Sequence, residues 1–426
     1  MEQELTLHML KSLLLQSDAE NCPDALFLKK LFCNIIDESV MQKKLICKSA
    51  SNLKAFMQGN RRRNLQQKRT YANYHGTKLL KEILQRGEEV ENRTGVNTIK
   101  IQDYHFRFDL SKEFPILETK QTYYKKAILE MLWIWQAASN DVNWLHERNV
   151  KIWDEWKIDS DGIYRIYEPG EPNMSTYDED REVEVLDPYS ASIKDPLAKM
   201  NPLQLKLDEN GKVMTAKSLI PGKNIKSAKW YGKEYVDTIG TAYGYLVNRY
   251  GYTDELIWTI LNNPTDRRMV YSLWQNEFLR TAVLPSCVWS TEWNVYKDTL
   301  NLQVHQRSCD VPLGLPFNVT QYATFLSMIA QVTNLKPGVI SYSINEPHIY
   351  VNQIDGIKEQ LRRGSVYNDY ARLAPSKLES IKSDLENKML TLDEKSDEYL
   401  RCDADLRIID IILSPVKPEL WLDPSI

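Results

Sequence analysis

The chain has 426 residues, 42% of them hydrophobic and 26% charged, a composition suited to globular folding. A net charge of −4 excludes an overall basic field that would draw the chain to nucleic acid or an anionic membrane. No apolar run approaches the roughly 20 residues that cross a bilayer, and six cysteines without a CxxC pair argue against a disulfide scaffold.

The length admits two or three average domains, or one large domain with insertions. The opening stretch MEQELTLHMLKSLLLQSDAE carries acids where a secretory signal carries bases, and it has no small-residue cleavage site. A reducing cytoplasm with free thiols is the expectation. The six histidines are scattered without zinc-type spacing, so no metal is expected.

Taken in chain order, residues 1–70 read as a helical N-terminal extension ending in the basic run GNRRRNLQQKR, a solvated helix end or linker. Residues 71–156 read as a compact α/β unit. HGTKLLKEILQRGEEV has helical spacing, IKIQDYHFRFDL alternates like one strand, and YKKAILEMLWIWQAA is an apolar-faced helix that carries Glu130. Residues 157–236 are rich in acid, Pro and Ser with weak periodicity, and read as an inserted subdomain or a long loop. Dense patterning returns over 237–363. TDELIWTILNN is a helix; MVYSLWQ, VWSTEWNVY and TLNLQVHQRS are strands; TQYATFLSMIAQVTNL is a long helix; GVISYSINEPHIYV is a strand. A charged helical insertion follows at about 365–400, and LRIIDIILSPV reads as a final strand.

Cys287, in LPSCVWSTEWNV, reads by itself as a small core residue. Its surroundings change that reading. HQRSCDVPLGLPFN, residues 305–318, offers Arg307, Ser308, Asp310 and Asn318 within fourteen positions. A strand that ends in Arg-Ser suits a phosphate, because guanidinium presents a fork of donors. Arg267 and Arg268 in DRR add two more, although surface ion pairs explain that motif equally well alone. His348 and Tyr350 in HIY share one face of a strand and suit a sugar hydroxyl.

These residues carry a resemblance. NRTG, FRFDL, FPILETK, LEMLW, VKIWDEW, GTAYG, DRRMV, LPSC, QRSCDVPLGLPFN and EPHIYVN occur in the order found in the thymidylate synthase family. The likeness spans roughly residues 75–156 and 238–363, a little under half the chain. It implies an α+β fold: a large, mostly antiparallel sheet flanked by helices, packed back to back as a homodimer. The catalytic domain would run over 71–426, interrupted by the two insertions. The implied substrates are dUMP and 5,10-methylenetetrahydrofolate as cosubstrate, with no metal, nucleic acid or membrane involved.

The resemblance also implies roles. Cys287 is the nucleophile that adds to ring carbon 6 of uracil and makes ring carbon 5 reactive. Arg93 and Arg307 from one subunit, with Arg267 and Arg268 from the other, hold the phosphate together with Ser308 and favour a thiolate. Asn318 reads the uracil edge, because a carboxamide offers both a donor and an acceptor; by itself it reads equally well as a turn cap. Glu130, on an apolar helix face, is the general acid/base; the bland reading is a buried ion pair. Tyr243 helps remove the ring carbon 5 proton. His348 and Tyr350 hold the ribose hydroxyl. Lys120, Trp153, Asp310 and Gly314 fall on the folate side, although Trp153 alone reads as core.

Four departures from the family pattern bear on the product. Val288 stands where histidine follows the nucleophile, Glu292 replaces a glutamine, Asn248 replaces a tryptophan, and the tail LSPVKPELWLDPSI is foreign. A closing tail excludes water from the reactive methylene intermediate. The expectation is therefore a deoxyuridylate hydroxymethyltransferase of the bacteriophage type, forming 5-hydroxymethyl-dUMP for DNA modification. The alternative is a thymidylate synthase making dTMP and dihydrofolate. A third reading is an inactive nucleotide-binding or assembly protein on the same fold.

Overall fold

The computed structural model describes residues 71–190 and 202–413, apart from residues 93, 113, 118, 121 and 371. The expected extension over 1–70, Arg93, and nearly all of the foreign tail lie outside the described residues.

Helix α1 (Tyr71–Arg86) buries Leu79, Leu80 and Ile83, a stripe at helical spacing. Strands β1 (Glu88–Val90), β2 (Thr98–Lys100) and β3 (Tyr104–Asp109) follow. The single strand expected over IKIQDYHFRFDL is thus two. Asp103 between them adopts a positive φ of 58°, a conformation that aspartate tolerates and that turns the chain before pairing resumes. Along β3, Tyr104, Phe106 and Phe108 point inward, with outward residues between them.

Helix α2 (Tyr124–Met131) continues into a π-helical turn, Leu132–Gln136. Its signature is the bond from Ala137 N to Leu132 O, 2.7 Å long. Leu132, Trp133, Ile134 and Trp135 are all buried here, which an amphipathic helix on a surface does not allow. The short helix α3 (Val142–His146) is capped by Asp141, which accepts from Asn143 N at 2.8 Å.

The inserted segment carries a sheet of its own. Strands β4 (Ile163–Tyr167), β5 (Glu182–Asp187), β6 (Gln204–Leu205), β7 (Thr215–Lys217) and β8 (Ile225–Trp230) pair in the order β4-β8-β5-β6, with β7 also on β5. Ile163, Val185, Ala216, Ile225 and Ala228 form its small core. Arg165 is buried beside it, paired with Asp159 at 2.8 Å and Asp161 at 2.5 Å. Strands of two to six residues are too short to print a clear period on the sequence.

Helices α4 (Gly244–Tyr250) and α5 (Tyr252–Asn262) lead to the main sheet. Strands β9 (Val270–Ser272), β10 (Val288–Tyr296) and β11 (Thr299–Asp310), helix α6 (Gly314–Val332) and strand β12 (Lys336–Tyr350) build its centre. Strand order is β1-β2-β12-β11-β10-β9, with β3 also on β12. Every pairing is antiparallel except β11 with β12. Leu300, Leu302, Val304, Ile340, Tyr342 and Ile344 alternate onto one face, and α6 packs over β11 and β12. This is the expected α+β arrangement of helices on a mostly antiparallel sheet.

Helices α7 (Ile354–Tyr370), α8 (Pro375–Met389) and α9 (Asp397–Leu413) close the described chain. The last corrects the strand expected over LRIIDIILSPV. Cys402, Ala404, Ile408 and Ile409 form a buried helical stripe, while Asp405 and Asp410 pair with Arg362 and Lys382 on the neighbouring helices. Branched residues suggested a strand; packing of the apolar stripe against α7 and α8 decides for the helix.

Candidate active site

Strand directions gather the candidate residues. Because β10 is antiparallel to β11, and β11 parallel to β12, the start of β10 lies beside the ends of β11 and β12. Cys287 directly precedes β10, and its carbonyl accepts from Arg307 N at 2.9 Å. Asp310 lies opposite His348, and Tyr350 is two residues further on the same face. Helix α6 starts immediately after this edge and carries Gly314 and Asn318. A register shift between Val288 and Ser290 bulges β10 next to the thiol, which re-aims the strand end.

Cys287 is half-buried. Arg307 Nη2 lies 3.7 Å from its Sγ. The same guanidinium donates to Pro285 O at 2.8 Å and to Ser286 O at 3.1 Å, so it clamps the loop that presents the thiol. Ser308 follows on the same strand, and its carbonyl accepts from Gln306.

Tyr243 accepts from Cys287 N at 2.8 Å through its hydroxyl. Its backbone is strained there: φ is 47° and ψ −107°, outside the regions a side-chain-bearing residue favours. The next residue must be glycine, because a Cβ on Gly244 would sit 1.9 Å from Ser139 O. Burial, and then the neighbouring Cys287, hold the Tyr243 hydroxyl well above its ordinary pKa, so it stays neutral.

Glu130 faces the same space. Burial raises its pKa to about 7, against the lowering effect of two donors. Trp153 Nε1 donates to one oxygen at 2.7 Å, and Gln321 Nε2 to the other at 2.5 Å. Among the described residues Glu130 is hydrogen-bonded and has no cationic partner. Trp153 is 6% exposed and packs edge-on to Tyr243 with ring centroids 5.5 Å apart.

Asn318 is wired in as well. Its Oδ1 accepts from Gln306 Nε2 at 3.2 Å, and its Nδ2 donates to Gln321 Oε1 at 3.1 Å. Lys120 Nζ donates to Pro312 O at 2.7 Å. Burial lowers its pKa, while Asp310 acts to raise it. Asp310 accepts from Gln353 Nε2 at 3.0 Å and from Leu313 N at 3.2 Å. A Cβ at Gly314 would lie 3.8 Å from Asn318 Oδ1, in ordinary contact, so no described residue demands glycine there.

Arg267 and Arg268 stand apart. Both are exposed on the loop before β9, and Arg268 forks onto Asp266 at 2.9 and 2.7 Å. No hydrogen bond or ion pair among the described residues joins them to the Cys287 cluster. Val288 is buried, Glu292 pairs with His305 at 3.1 Å, and Asn248 is exposed on α4.

Sequence reasoning missed Gln306, Gln321, Tyr342 and Ser286. Tyr342 OH donates to Gln306 Oε1 at 2.5 Å, and Ser286 Oγ, on the residue before Cys287, is buried without a partner among the described residues. Two of them left a signal: Gln306 lies inside HQRSCD, and Gln321 lies one turn from Asn318 on a largely apolar helix.

The family model for thymidylate synthase matches residues 73–391. A thymidylate synthase of Clostridium beijerinckii is 36% identical over 68% of this chain and 82% of its own length. One of Mycoplasma mobile is 32% identical over 67% and 83%. Among solved structures, thermostable thymidylate synthase A from Bacillus subtilis is 29% identical, with a TM-score of 0.47 over 68% of this chain and 84% of that one. A family model over residues 73–391, and a relative 36% identical across most of its length, place this chain in the thymidylate synthase family.

Proposed function

We propose that the chain is a thymidylate synthase, which moves a one-carbon unit from 5,10-methylenetetrahydrofolate to ring carbon 5 of dUMP and releases dTMP and dihydrofolate. The observation that carries this reading is that Gln321 joins the buried Glu130 carboxyl to the Asn318 carboxamide, while Trp153, which donates to Glu130, packs on the Tyr243 ring whose hydroxyl accepts from Cys287 N. The names of the relatives support methylation over hydroxymethylation.

Cys287 Sγ adds to ring carbon 6, and the ring then attacks through carbon 5. Asn318 has one N–H and one lone pair to spare, which match the uracil 4-oxygen and ring N–H. Glu130, titrating at about 7, holds or releases a proton near neutral pH. The neutral Tyr243 hydroxyl assists removal of the carbon 5 proton. Arg307 and Ser308, with Arg93, hold the phosphate, and His348 with Tyr350 holds the ribose. Arg267 and Arg268 reach the phosphate from the second subunit of a homodimer, which suits their exposure here. Lys120, Asp310, Gly314 and Trp153 border the folate, which supplies both the methylene carbon and the hydride.

A second reading, hydroxymethylation, is favoured by Val288, an aliphatic side chain where the family pattern has histidine beside the nucleophile. Product analysis separates the two. Purified protein is incubated with dUMP and methylene-tetrahydrofolate, the nucleotide identified by mass and the folate by absorbance. The expected result is dTMP with dihydrofolate. Hydroxymethyl-dUMP with tetrahydrofolate overturns methylation in favour of the second reading. Binding of dUMP without turnover refutes both, and leaves an inactive nucleotide-binding protein.

A further inference from the structure

Gln321 lies three residues past Asn318 on α6, so both side chains face the same way. It is buried, and its amide is used at both ends: Oε1 accepts from Asn318, and Nε2 donates to Glu130. On the far side of Asn318, Gln306 Nε2 donates to Asn318 Oδ1 and also to Ser308 O at 2.9 Å. Tyr342 donates to Gln306 Oε1. Every bond in this chain runs in one direction, from Tyr342 through Gln306, Asn318 and Gln321 to Glu130.

We propose that Gln321 is a specificity-determining positioning residue, which transmits the acceptor character of the Glu130 carboxylate to Asn318 and locks its carboxamide in the orientation that reads uracil. The inference rests on the proposal that Asn318 reads the base and Glu130 handles protons. Its logic is donor and acceptor counting. The network takes one N–H and one lone pair from Asn318, leaving one of each for the base. Cytosine presents the opposite edge, an amino donor and a ring-nitrogen acceptor, and needs the carboxamide flipped.

A flip sets Nδ2 against Gln306 Nε2, donor to donor, and Oδ1 against Gln321 Oε1, acceptor to acceptor. Gln306 cannot turn to relieve this, because the Ser308 carbonyl only accepts. Gln321 cannot turn while Glu130 is a carboxylate, because its Oε1 would then face an acceptor. A protonated Glu130 donates instead and removes that second lock. Among the described residues, the titratable groups that face Glu130 are Tyr243 and Tyr322, both kept neutral by burial, and Trp153 occupies the other carboxylate oxygen.

The test compares the whole protein with Gln321→Met and Gln321→Glu. It measures dUMP and dCMP binding by calorimetry, kcat/KM on both nucleotides, and the pH profile. Losing a bond to a charged group is worth roughly tenfold to a hundredfold. Gln321→Met is therefore expected to lower kcat/KM on dUMP by about that factor and to narrow the preference for dUMP over dCMP about tenfold. The pH limb that reports Glu130 moves upward, because the carboxylate has lost a donor. Gln321→Glu keeps an acceptor for Asn318 but sets a second carboxyl against Glu130, so it moves the limb upward while holding more of the dUMP preference. Unchanged nucleotide preference and an unchanged limb in both variants overturn the proposal, even if kcat falls, since packing alone would explain that. If Gln321→Met does not fold, the limb and preference of Gln321→Glu decide in the same way. Absence of turnover in the unsubstituted protein refutes the proposed function instead, and the dUMP-to-dCMP binding ratio then decides on Gln321.

Discussion

Glu130 should write itself into the pH dependence of stability. Burial holds its proton in the folded protein up to about pH 7, whereas the unfolded chain releases it near 4.5. The folded state thus gains from this proton below 4.5, and the gain is lost as pH rises to about 7. A displacement from 4.5 to about 7, at about 1.4 kcal/mol per unit, amounts to about 3 kcal/mol, most of which falls between about pH 5 and pH 8. An amide at this position does not titrate, so Glu130→Gln should lose roughly 2–3 kcal/mol less stability over that interval than the parent. The variant is expected to be less stable in absolute terms. Trp153 and Gln321 both donate toward this side chain, and a neutral amide accepts through only one atom. The assay is urea denaturation of both proteins at several pH values, read as the difference between their slopes, in which all other titrating groups cancel. Parallel stability curves would refute the reasoning, because Glu130 would then not be carrying its proton to neutral pH.

Three further outcomes follow from the same geometry. Cys287→Ala should abolish turnover while leaving dUMP affinity within about tenfold, as measured by calorimetry; normal rates would sink the nucleophile assignment. Asn318→Asp should move the ratio of dCMP to dUMP kcat/KM upward by about tenfold or more, since a protonated carboxyl and a carboxylate both suit the cytosine edge better. No shift would mean that the base is read elsewhere. Gly244→Ala should cost about 3 kcal/mol or more in urea denaturation, because the added methyl meets the Ser139 carbonyl at 1.9 Å and backbone must move. A melt like that of the parent would show that α4 does not need this close approach.

Much was legible in the residues themselves. Alternation over β10, β11 and β12 marked the central strands, because one face of that sheet is buried and the period is two. The order of the motifs around Cys287, Arg307 and Asn318 pointed to the chemistry. Other elements were not legible. LRIIDIILSPV carries branched residues at helical spacing, and only packing against α7 and α8 shows which property wins. The inserted segment hides a five-stranded sheet behind strands too short to show a period.

The division has a physical cause. Composition and local spacing are properties of neighbouring residues, and they sufficed for most elements and for a list of candidate side chains; the order of the motifs, through the family resemblance, implied the α+β class. Which of those side chains meet depends on strand direction: the parallel pairing of β11 with β12 and the antiparallel pairing of β10 with β11 bring Cys287, Asp310 and His348 to one edge. Which way each amide points depends on partners far away in sequence. Gln321 and Glu130 are 191 residues apart, and no local pattern could disclose that a hydrogen bond joins them.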